Sequence, residues 1–480
     1  MSGSTLPNAA ALSAAGAPTA AAPTAAALWR REIAATLRLA APLVFTQLAM
    51  IGINTTDIVM MGWLGPDELA AGALGMNIYI PFFLFGLGIA TVVAPMTAQA
   101  LGARDFRGVR RTVRQGFWLT LLFGAAFSAI IWNGRHVLLA TGQDPAIARL
   151  AEDYLQAVAW GLVPALWMVV LRCFVTSHSR PRSVLVITLL AVAVNAVGNY
   201  GLMFGNFGLP RWELTGAGIT SSVVSALMFL TQLGYVLRDR QFRRYHILVR
   251  FWRPDWARFF ELFRVGVPIG LTIVAEAGLF SAAALLMGLI STEALAAHAI
   301  ALQCGAVAFM VPLGIGQAAV VRVGLAAGAR DNDGVRRAGW SALLAGSLFM
   351  SGAALTFWFG GAWLVGLFLD AAVPENAPVI ELAVAFLAIA AVFQLVDGGQ
   401  VIGAHVLRGL KDTTVPMWLA IGGYWAIGFV ASVVFAFPLG FGGRGVWFGL
   451  AFGLAFVAIA VNWRFHRRES LLPDGGLAQG

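Results

Sequence analysis

Charged residues are scarce in this chain of 480 residues, at 11% of the sequence, whereas hydrophobic residues make up 59%. A soluble domain carries about a quarter charged residues. The composition therefore excludes an ordinary soluble protein and indicates a surface that faces lipid. Cysteine is scarcer still, and because Cys173 and Cys304 both lie in apolar stretches, no disulfide framework is expected.

Recognisable catalytic motifs are also missing. We find no nucleophile–base pair, no phosphate-binding loop of the Gly-Lys-Ser/Thr type and no His or Cys at metal-ligand spacing. An integral-membrane transferase would need such groups near one interface, so we expect no enzyme, no catalytic residue and no cofactor. Residues 1–27 carry no charge, hence no basic region of a signal peptide, and residues 1–28 are predicted to be a disordered tail.

Long apolar runs dominate the rest. A membrane-spanning helix needs about 20 mainly apolar residues. Twelve segments meet that requirement and predict an all-α integral membrane protein: 39–63, 72–98, 115–133, 155–177, 184–206, 217–237, 262–289, 296–322, 339–360, 379–408, 415–437 and 445–463.

The 32 Lys and Arg residues are distributed unevenly between the two sides. When alternate connections are assigned to opposite sides, all but Arg135, Arg149, Arg211 and Arg444 fall on one side together with both termini. Cytoplasmic loops are enriched in Lys and Arg, which predicts a multi-pass protein of the cell (inner) membrane with both termini in the cytoplasm. The net charge of +9 thus faces anionic lipid, and no nucleic-acid partner is expected.

The sequence repeats itself at an offset of 226 residues. LGARDFRGVRR at 101–111 matches AGARDNDGVRR at 327–337 in eight of eleven positions, and Pro42 matches Pro268. Six spans per half is an even number, so the halves share one orientation and form two six-helix lobes about a pseudo-two-fold axis along the membrane normal. We divide the chain into a tail, two lobes, a cytoplasmic linker and a cytoplasmic tail: 1–28, 29–237, 262–463, 238–261 and 464–480.

The two repeated loops and prolines have ordinary structural explanations. In each GARD loop the Gly allows a tight turn and the Arg sets orientation, which accounts for the motif without a gating role. Pro42 and Pro268 loosen the backbone of their spans, and a role in alternating access is an open alternative to a tolerated kink.

Three carboxylates lie within predicted spans: Asp57, Glu276 and Asp397. A charge in hydrocarbon is expensive and marks a functional site. Helical rise places Glu276 and Asp397 roughly 20 and 16 Å from the cytoplasmic side, near the midplane, and Asp57 roughly 27 Å from it. None has an acidic counterpart at the 226 offset, so the scaffold is duplicated and the chemistry is not. Glycines directly after Asp397 leave open a break in that helix.

Other polar and aromatic residues in the spans are candidates for binding. Asn195 and Asn199, one helical turn apart, are expected to hydrogen-bond Asp57, or else a neighbouring helix. Phe280, one turn after Glu276, suits stacking on a flat cation or simple packing. His298 and His405 are expected to be satisfied interface residues.

Four motifs carry a resemblance to the multidrug and toxic compound extrusion (MATE) family, in its NorM-type branch. They are TTDIVMMGWLGPDELAA, PMTAQALGARD, GVPIGLTIVAEAGLF and DGGQVIGAHVLRGLKDT, within a resemblance over about residues 30–465. It implies two lobes around a central cavity and export of cationic or polyaromatic compounds in exchange for Na⁺ or H⁺. Gly398 and Gly399 depart from the pattern, which has larger side chains there.

The hypothesis is a cation-coupled antiporter working by alternating access. Glu276, Asp397 and Asp57 are assigned to cation coupling, and Asp57, Asn195, Asn199, Phe280 and Glu276 to the substrate. All three acids are expected to face one cavity between the lobes. Glu276 and Asp397 would ligate the ion if it is Na⁺. Expected partners are cationic small molecules and membrane lipid, with the protein a monomer. The alternative is a lipid-linked precursor flippase, whose cavity needs Arg or Lys for phosphate; no well-buried basic residue is expected in the spans.

Overall fold

The computed structural model describes residues 24–471, which are almost entirely helical and contain no strand. Within these residues, twelve helices are long and apolar enough to cross a membrane. We number them α1 to α12: Ala25–Leu64, Pro66–Gly102, Phe106–Trp132, Pro145–Ser177, Arg182–Phe204, Glu213–Arg238, Trp256–Ile290, Thr292–Gly328, Asn332–Gly366, Pro374–Gly409, Thr414–Ala436 and Gly442–His466. The predicted number and order of spans are confirmed, although most helices extend beyond the predicted apolar cores.

The chain ends and the linker differ in detail from the predicted divisions. Helix α1 begins at Ala25, inside the segment predicted to be a tail, and α12 continues to His466. The predicted linker contains a short helix, Arg240–Arg243, and turns that lead to Asp255, the N-cap of α7. Residues 1–23 and 472–480, which hold most of the two predicted tails, lie outside the described residues.

The 226-residue repeat reappears as matched local geometry in both GARD loops, residues 102–105 and 328–331. Arg104 and Arg330 each adopt a φ of 58°. Asp105 then accepts a hydrogen bond from the Gly108 amide at 2.8 Å, and Asp331 accepts one from Gly334 at 2.7 Å. Each carboxylate thereby caps the helix that follows, which gives the loops a structural role.

The two GARD loops also lie beside each other, and we call this face of the molecule the GARD side. A Cβ added to Gly102 would lie 3.0 Å from Gly328 Cα and would overlap the Leu325 carbonyl, while one added to Gly328 would overlap the Gln99 carbonyl. Residues 99 and 325 are also 226 apart. The contact is therefore reciprocal, as a two-fold axis between the lobes requires.

A second reciprocal contact lies deeper between the lobes. Gly88 of α2 approaches the backbone of Gly270 in α7, and Gly314 of α8 approaches Val44 in α1. The GARD-side half of α1 packs into the core of the second lobe, and that of α7 packs into the core of the first. Each lobe thus contributes the GARD-side half of its first helix to the core of the other.

Contacts between the lobes concentrate toward the GARD side. The segment Val93–Gly102 of α2 packs extensively against α8, and Pro66–Thr91 contacts the second lobe through the GARD-side half of α7, where Gly88 lies against Gly270. An ion pair between Arg322 and Glu32, 2.6 Å long, adds to this closure. The lobes therefore diverge toward the opposite side, where the space between them opens.

Candidate functional site

A cavity of about 620 Å³ lies between the lobes. Apolar and aromatic side chains, among them Phe83, Phe280 and Phe393, line most of its wall. Glu276 of α7 and Asp397 of α10 also line it, so the structure brings these two predicted acids together. An apolar pocket with a few polar groups is the usual form of a small-molecule site.

Asp57 belongs to a different place. It follows Asn54, which lines the cavity, by one turn of α1, but Asp57 is not among the lining residues. Its Oδ1 instead accepts hydrogen bonds from Asn195 Nδ2 at 3.0 Å and Asn199 Nδ2 at 2.6 Å. The expected hydrogen bonds are therefore present. The expectation that all three acids share one cavity is wrong, because the Asp57 carboxylate is directed toward α5 within the first lobe.

The Asn side chains also leave two oxygen atoms unused. Asn195 and Asn199 are fully buried, and the Oδ1 atom of each has no hydrogen-bond partner within residues 24–471. The Asp57 carboxylate and the two asparagines thus form a polar cluster in the first lobe, apart from the cavity. Buried polar atoms without partners are uncommon in folded proteins, so this cluster is incomplete as it stands.

Sequence reasoning missed two glutamines that flank Asp397. Gln394 and Gln400 lie three residues to either side of it on α10, and all three are buried and line the cavity. Gln394 Oε1, Asp397 Oδ1 and Gln400 Oε1 all lack a hydrogen-bond partner among the described residues. The i, i+3 spacing of polar residues in an apolar helix was the signal that would have revealed this stripe.

Helix α11 supports the acids through a π-helical segment, Gly422–Phe429. From this segment Trp425 donates to the carbonyl of Ala275, the residue before Glu276, at 3.2 Å. Tyr424 accepts a hydrogen bond from Gln400. Short π segments occur frequently at functional sites, and this one contacts both acidic helices.

The glycines after Asp397 do not break α10. The helix runs continuously to Gly409, and Asn462 of α12 donates to the Gly399 carbonyl at 3.0 Å. A Cβ on Gly398 would lie 2.6 Å from Met350 Cγ, so the small residue admits a methionine from α9. Tight packing therefore explains the glycine at position 398, whereas a Cβ on Gly399 would lie 3.9 Å from Asn462 Nδ2, and the packing there does not require a glycine.

The two histidines differ. His405 lines the cavity, and its Nδ1 lies 2.7 Å from the Val401 carbonyl, as expected of a satisfied residue. His298 packs against Trp447 with ring centroids 5.5 Å apart, but both ring nitrogens lack a partner within residues 24–471. The expectation of a satisfied histidine is therefore wrong at His298.

Basic residues do face the cavity, contrary to the sequence-based expectation. Arg172 of α4 and Arg408 of α10 both line it. They lie near the GARD-side ends of their helices, where the charge pattern explained them as topological signals. Which way an arginine points depends on the rotation of its helix, and hydropathy does not report this.

Metal-binding groups are limited in the same region. Across the part of the chain that the structure describes, no cluster of three or more His, Cys, Asp or Glu is positioned to hold a metal ion. An ion at Glu276 and Asp397 would therefore need amide or backbone oxygens as well, which hard cations accept.

Comparison with known proteins gives consistent results. A family model described as MatE matches residues 42–201 and 268–434, two segments that start 226 residues apart. A "Probable multidrug resistance protein NorM" of Mesorhizobium japonicum is 48% identical over 448 residues, covering 93% of this chain and 96% of that protein. Another of that description from Rhizobium meliloti is 46% identical over 439 residues, covering 92% and 94%.

Solved structures share the fold. One described as the outward-facing conformation of a multidrug resistance MATE family transporter of the MOP superfamily has a TM-score of 0.83 at 18% identity, covering 92% of this chain and 97% of that one. The eukaryotic MATE transporter AtDTX14 has a TM-score of 0.80 at 20% identity, covering 91% and 95%.

Proposed function

The chain belongs to the MatE family, and we propose that it exports a range of lipophilic and polyaromatic cations in exchange for Na⁺ or H⁺. As a member of a family of transporters it is a multi-pass membrane transporter and not an enzyme. The relatives described as multidrug resistance proteins support a broad substrate range.

The observation that carries this proposal is the content of the cavity. Two carboxylates stand in an otherwise largely apolar and aromatic space of about 620 Å³. Apolar walls suit a polyaromatic body without demanding one shape, and the carboxylates favour a positive charge in surroundings that poorly solvate it. Phe280 adds an aromatic face near Glu276, which suits a flat cation.

Glu276 and Asp397 are proposed to bind the coupling ion. A proton requires only a carboxylate held in an apolar environment, whereas Na⁺ requires several oxygen ligands. The unpartnered oxygens of Gln394 and Gln400 on either side of Asp397 support Na⁺. One charge moving down 100 mV supplies about 2.3 kcal/mol. At about 1.4 kcal/mol per factor of ten, this sustains a substrate gradient of roughly 50-fold.

Asp57 is proposed as a second ion site in the first lobe. Asn195 and Asn199 hold it there, and their two free oxygens would complete the coordination of a cation. A substrate role for these three residues is less favoured, since none lines the cavity.

Alternating access follows from the closure of one side. If the GARD side is cytoplasmic, as the positive charges predict, the structure is outward-facing. The lobes would then rock about the deeper contacts of Gly88 with Gly270 and of Gly314 with Val44. Pro42 and Pro268 lie in the helices that make these contacts. We place the protein in the inner membrane with cytoplasmic termini on the same grounds, acting as a monomer.

The flippase alternative gains one supporting observation. Arg172 and Arg408 line the cavity, so two basic groups are available to bind a phosphate, contrary to the sequence-based expectation. The carboxylates that line the same space still disfavour a polyanionic substrate.

Dye accumulation in cells that lack their own efflux pumps tests export. Cells making the parent protein should retain less of a lipophilic cationic dye, and Glu276→Gln should abolish the difference. Glu293→Gln is the matched control, since Glu293 begins α8 in an exposed position outside the cavity. Equal dye retention with and without the parent protein would remove the export proposal.

Vesicles test coupling. Purified protein in liposomes should move the dye when a Na⁺ gradient or a pH gradient is imposed alone, and the gradient that works identifies the ion. Transport that needs ATP would contradict antiport. Uptake of a lipid-linked phosphate in place of the dye would favour the flippase.

A further inference from the structure

An unpaired arginine faces the cavity. The Arg172 side chain lines it from α4 and makes no hydrogen bond or ion pair with any residue between 24 and 471. Val169, Cys173 and Thr176, on the same face of α4, line the cavity with it. Its guanidinium therefore points into the space between the lobes, where no carboxylate neutralises it.

Arginines within two other helices have hydrogen-bond partners in the protein. Arg322 of α8 forms two hydrogen bonds with Glu32, at 2.8 and 2.6 Å. Arg114 of α3 is buried and donates to the Arg250 carbonyl at 2.9 Å. A charge within a membrane span normally pairs or lines a substrate pathway. Arg172 lacks the pair and lines the pathway.

A second basic residue extends the positive region. Arg408 lines the same cavity, lies 3.3 Å from His405 Nε2 and is close enough to Glu276 for an electrostatic interaction. The two arginines come from different lobes, and both lie toward the closed GARD side. Glu276 and Asp397 lie closer to the open side than the two arginines do. The cavity is therefore negative toward its mouth and positive at its floor.

We propose that Arg172 is a binding site for an anionic group of the transported molecule. This rests on the proposed export function and specifies its substrate class. The class includes amphoteric compounds, in which an aromatic body carries a cationic centre to Glu276 and Asp397 and a carboxylate or sulfonate to Arg172. The planar guanidinium binds such groups through two parallel hydrogen bonds, and the water-poor cavity strengthens them.

A matched pair of dyes tests the proposal. The two probes are a rhodamine with a free carboxyl group and its methyl ester, which share the cationic ring system and differ in the negative charge. Binding to the full-length protein in phosphatidylcholine nanodiscs, where no anionic lipid competes, is measured by fluorescence anisotropy. The variants are Arg172→Gln, Arg172→Lys and Arg149→Gln; Arg149 is exposed on the same helix and does not line the cavity.

Loss of a charge-assisted arginine contact predicts weaker binding of the acid to Arg172→Gln by about ten- to a hundredfold. The ester should change less than about threefold, which also shows that the variant is folded. The affinity of Arg172→Lys for the acid should lie between that of Arg172→Gln and that of the parent. Lysine keeps the positive charge but cannot form the two parallel hydrogen bonds of a guanidinium. Arg149→Gln should bind both dyes as the parent does.

Two results overturn the inference and leave the export function standing. One is a parent protein that binds the ester but not the acid. The other is an Arg172→Gln variant that binds the acid as the parent does, or loses both dyes equally. A parent that binds neither dye contradicts the export function itself, and the inference with it.

Discussion

Gly102 and Gly328 meet backbone to backbone on the GARD side, where a Cβ on the first would lie 3.0 Å from the Cα of the second. The contact exists only while the lobes are closed there. A side chain at either position would therefore destabilise the conformation in which the GARD side is closed. It would not affect a conformation in which that side is open.

Gly328→Ala should therefore shift the protein away from the conformation described here. Overpacking costs about 1–3 kcal/mol, which changes the ratio of the two states by about five- to 160-fold. Distances between spin labels at Leu64 and Ser291, on the open side, should shorten in a background without Cys173 and Cys304. Gly352→Ala is the control, because no atom lies within 4 Å of its added Cβ. Unchanged distances in Gly328→Ala would show that the contact does not control closure.

The Asp57 cluster should behave as one energetic unit. Asn199→Ala leaves the carboxylate with one donor, and hydrogen bonds to charged groups are worth about 1.5–3 kcal/mol. In the Asp57→Asn background, Asn199→Ala should lower the free energy of unfolding by a smaller amount. The coupling energy between the two positions should be about 1 kcal/mol or more. Reversible unfolding in mixed detergent micelles measures all four proteins. Additive effects would mean that the hydrogen bond contributes nothing specific to stability.

Phe280 should contribute to the binding of aromatic cations. Its ring packs edge-on against Phe393 with centroids 6.2 Å apart and faces the cavity. Phe280→Ala should weaken binding of a polyaromatic cation by about three- to tenfold, since an aromatic contact is worth about 0.5–1.5 kcal/mol. A small aliphatic ammonium should be affected less. Phe359→Ala, at a position 81% exposed on α9 and away from the cavity, should leave both unchanged. The same loss for both ligands would indicate collapse of the pocket.

Asp255 should make stability sensitive to acid. The hydrogen bond from Arg111, which links α3 to the start of α7, lowers the pKa of this carboxyl from its ordinary value of 3.8. A lowered pKa stabilises the folded state above the ordinary pKa, and the stabilisation disappears as the pH falls through the lowered one. The melting temperature of Asp255→Asn should lie below that of the parent at pH 7. The difference should narrow below about pH 4, as the parent loses its ion pair. A difference independent of pH would assign the effect to helix capping alone.

The sequence predicted the repeated scaffold well, because matched residues produce matched local geometry. Asp105 and Asp331 cap equivalent helices, and Arg104 and Arg330 share one φ angle. The hydrogen bonds of Asp57 were also predictable, since Asn195 and Asn199 lie one turn apart at a suitable depth. Their functional role remains a prediction.

The interior of the cavity was less predictable. Depth along a helix follows from residue number, but the direction of a side chain depends on how that helix packs. Arg172 was therefore assigned to the membrane surface although it faces the cavity, and Asp57 was assigned to the cavity although it faces α5. The stripe of Gln394, Asp397 and Gln400 could be recognised from the sequence, since polar residues recur there at i, i+3 spacing in an otherwise apolar helix.

The reciprocal packing of the two halves has an implication for their origin. Where Gly102 and Gly88 contact the second lobe, their counterparts Gly328 and Gly314 make the equivalent contacts with the first, so this part of the arrangement has the form of a symmetric homodimer interface. A half-length ancestor of six spans, pairing with its own copy in the same membrane orientation, would already have contained it. Fusion of the two copies would have kept this interface and allowed the two interiors to diverge, so that both acids of the cavity, Glu276 and Asp397, belong to the second half.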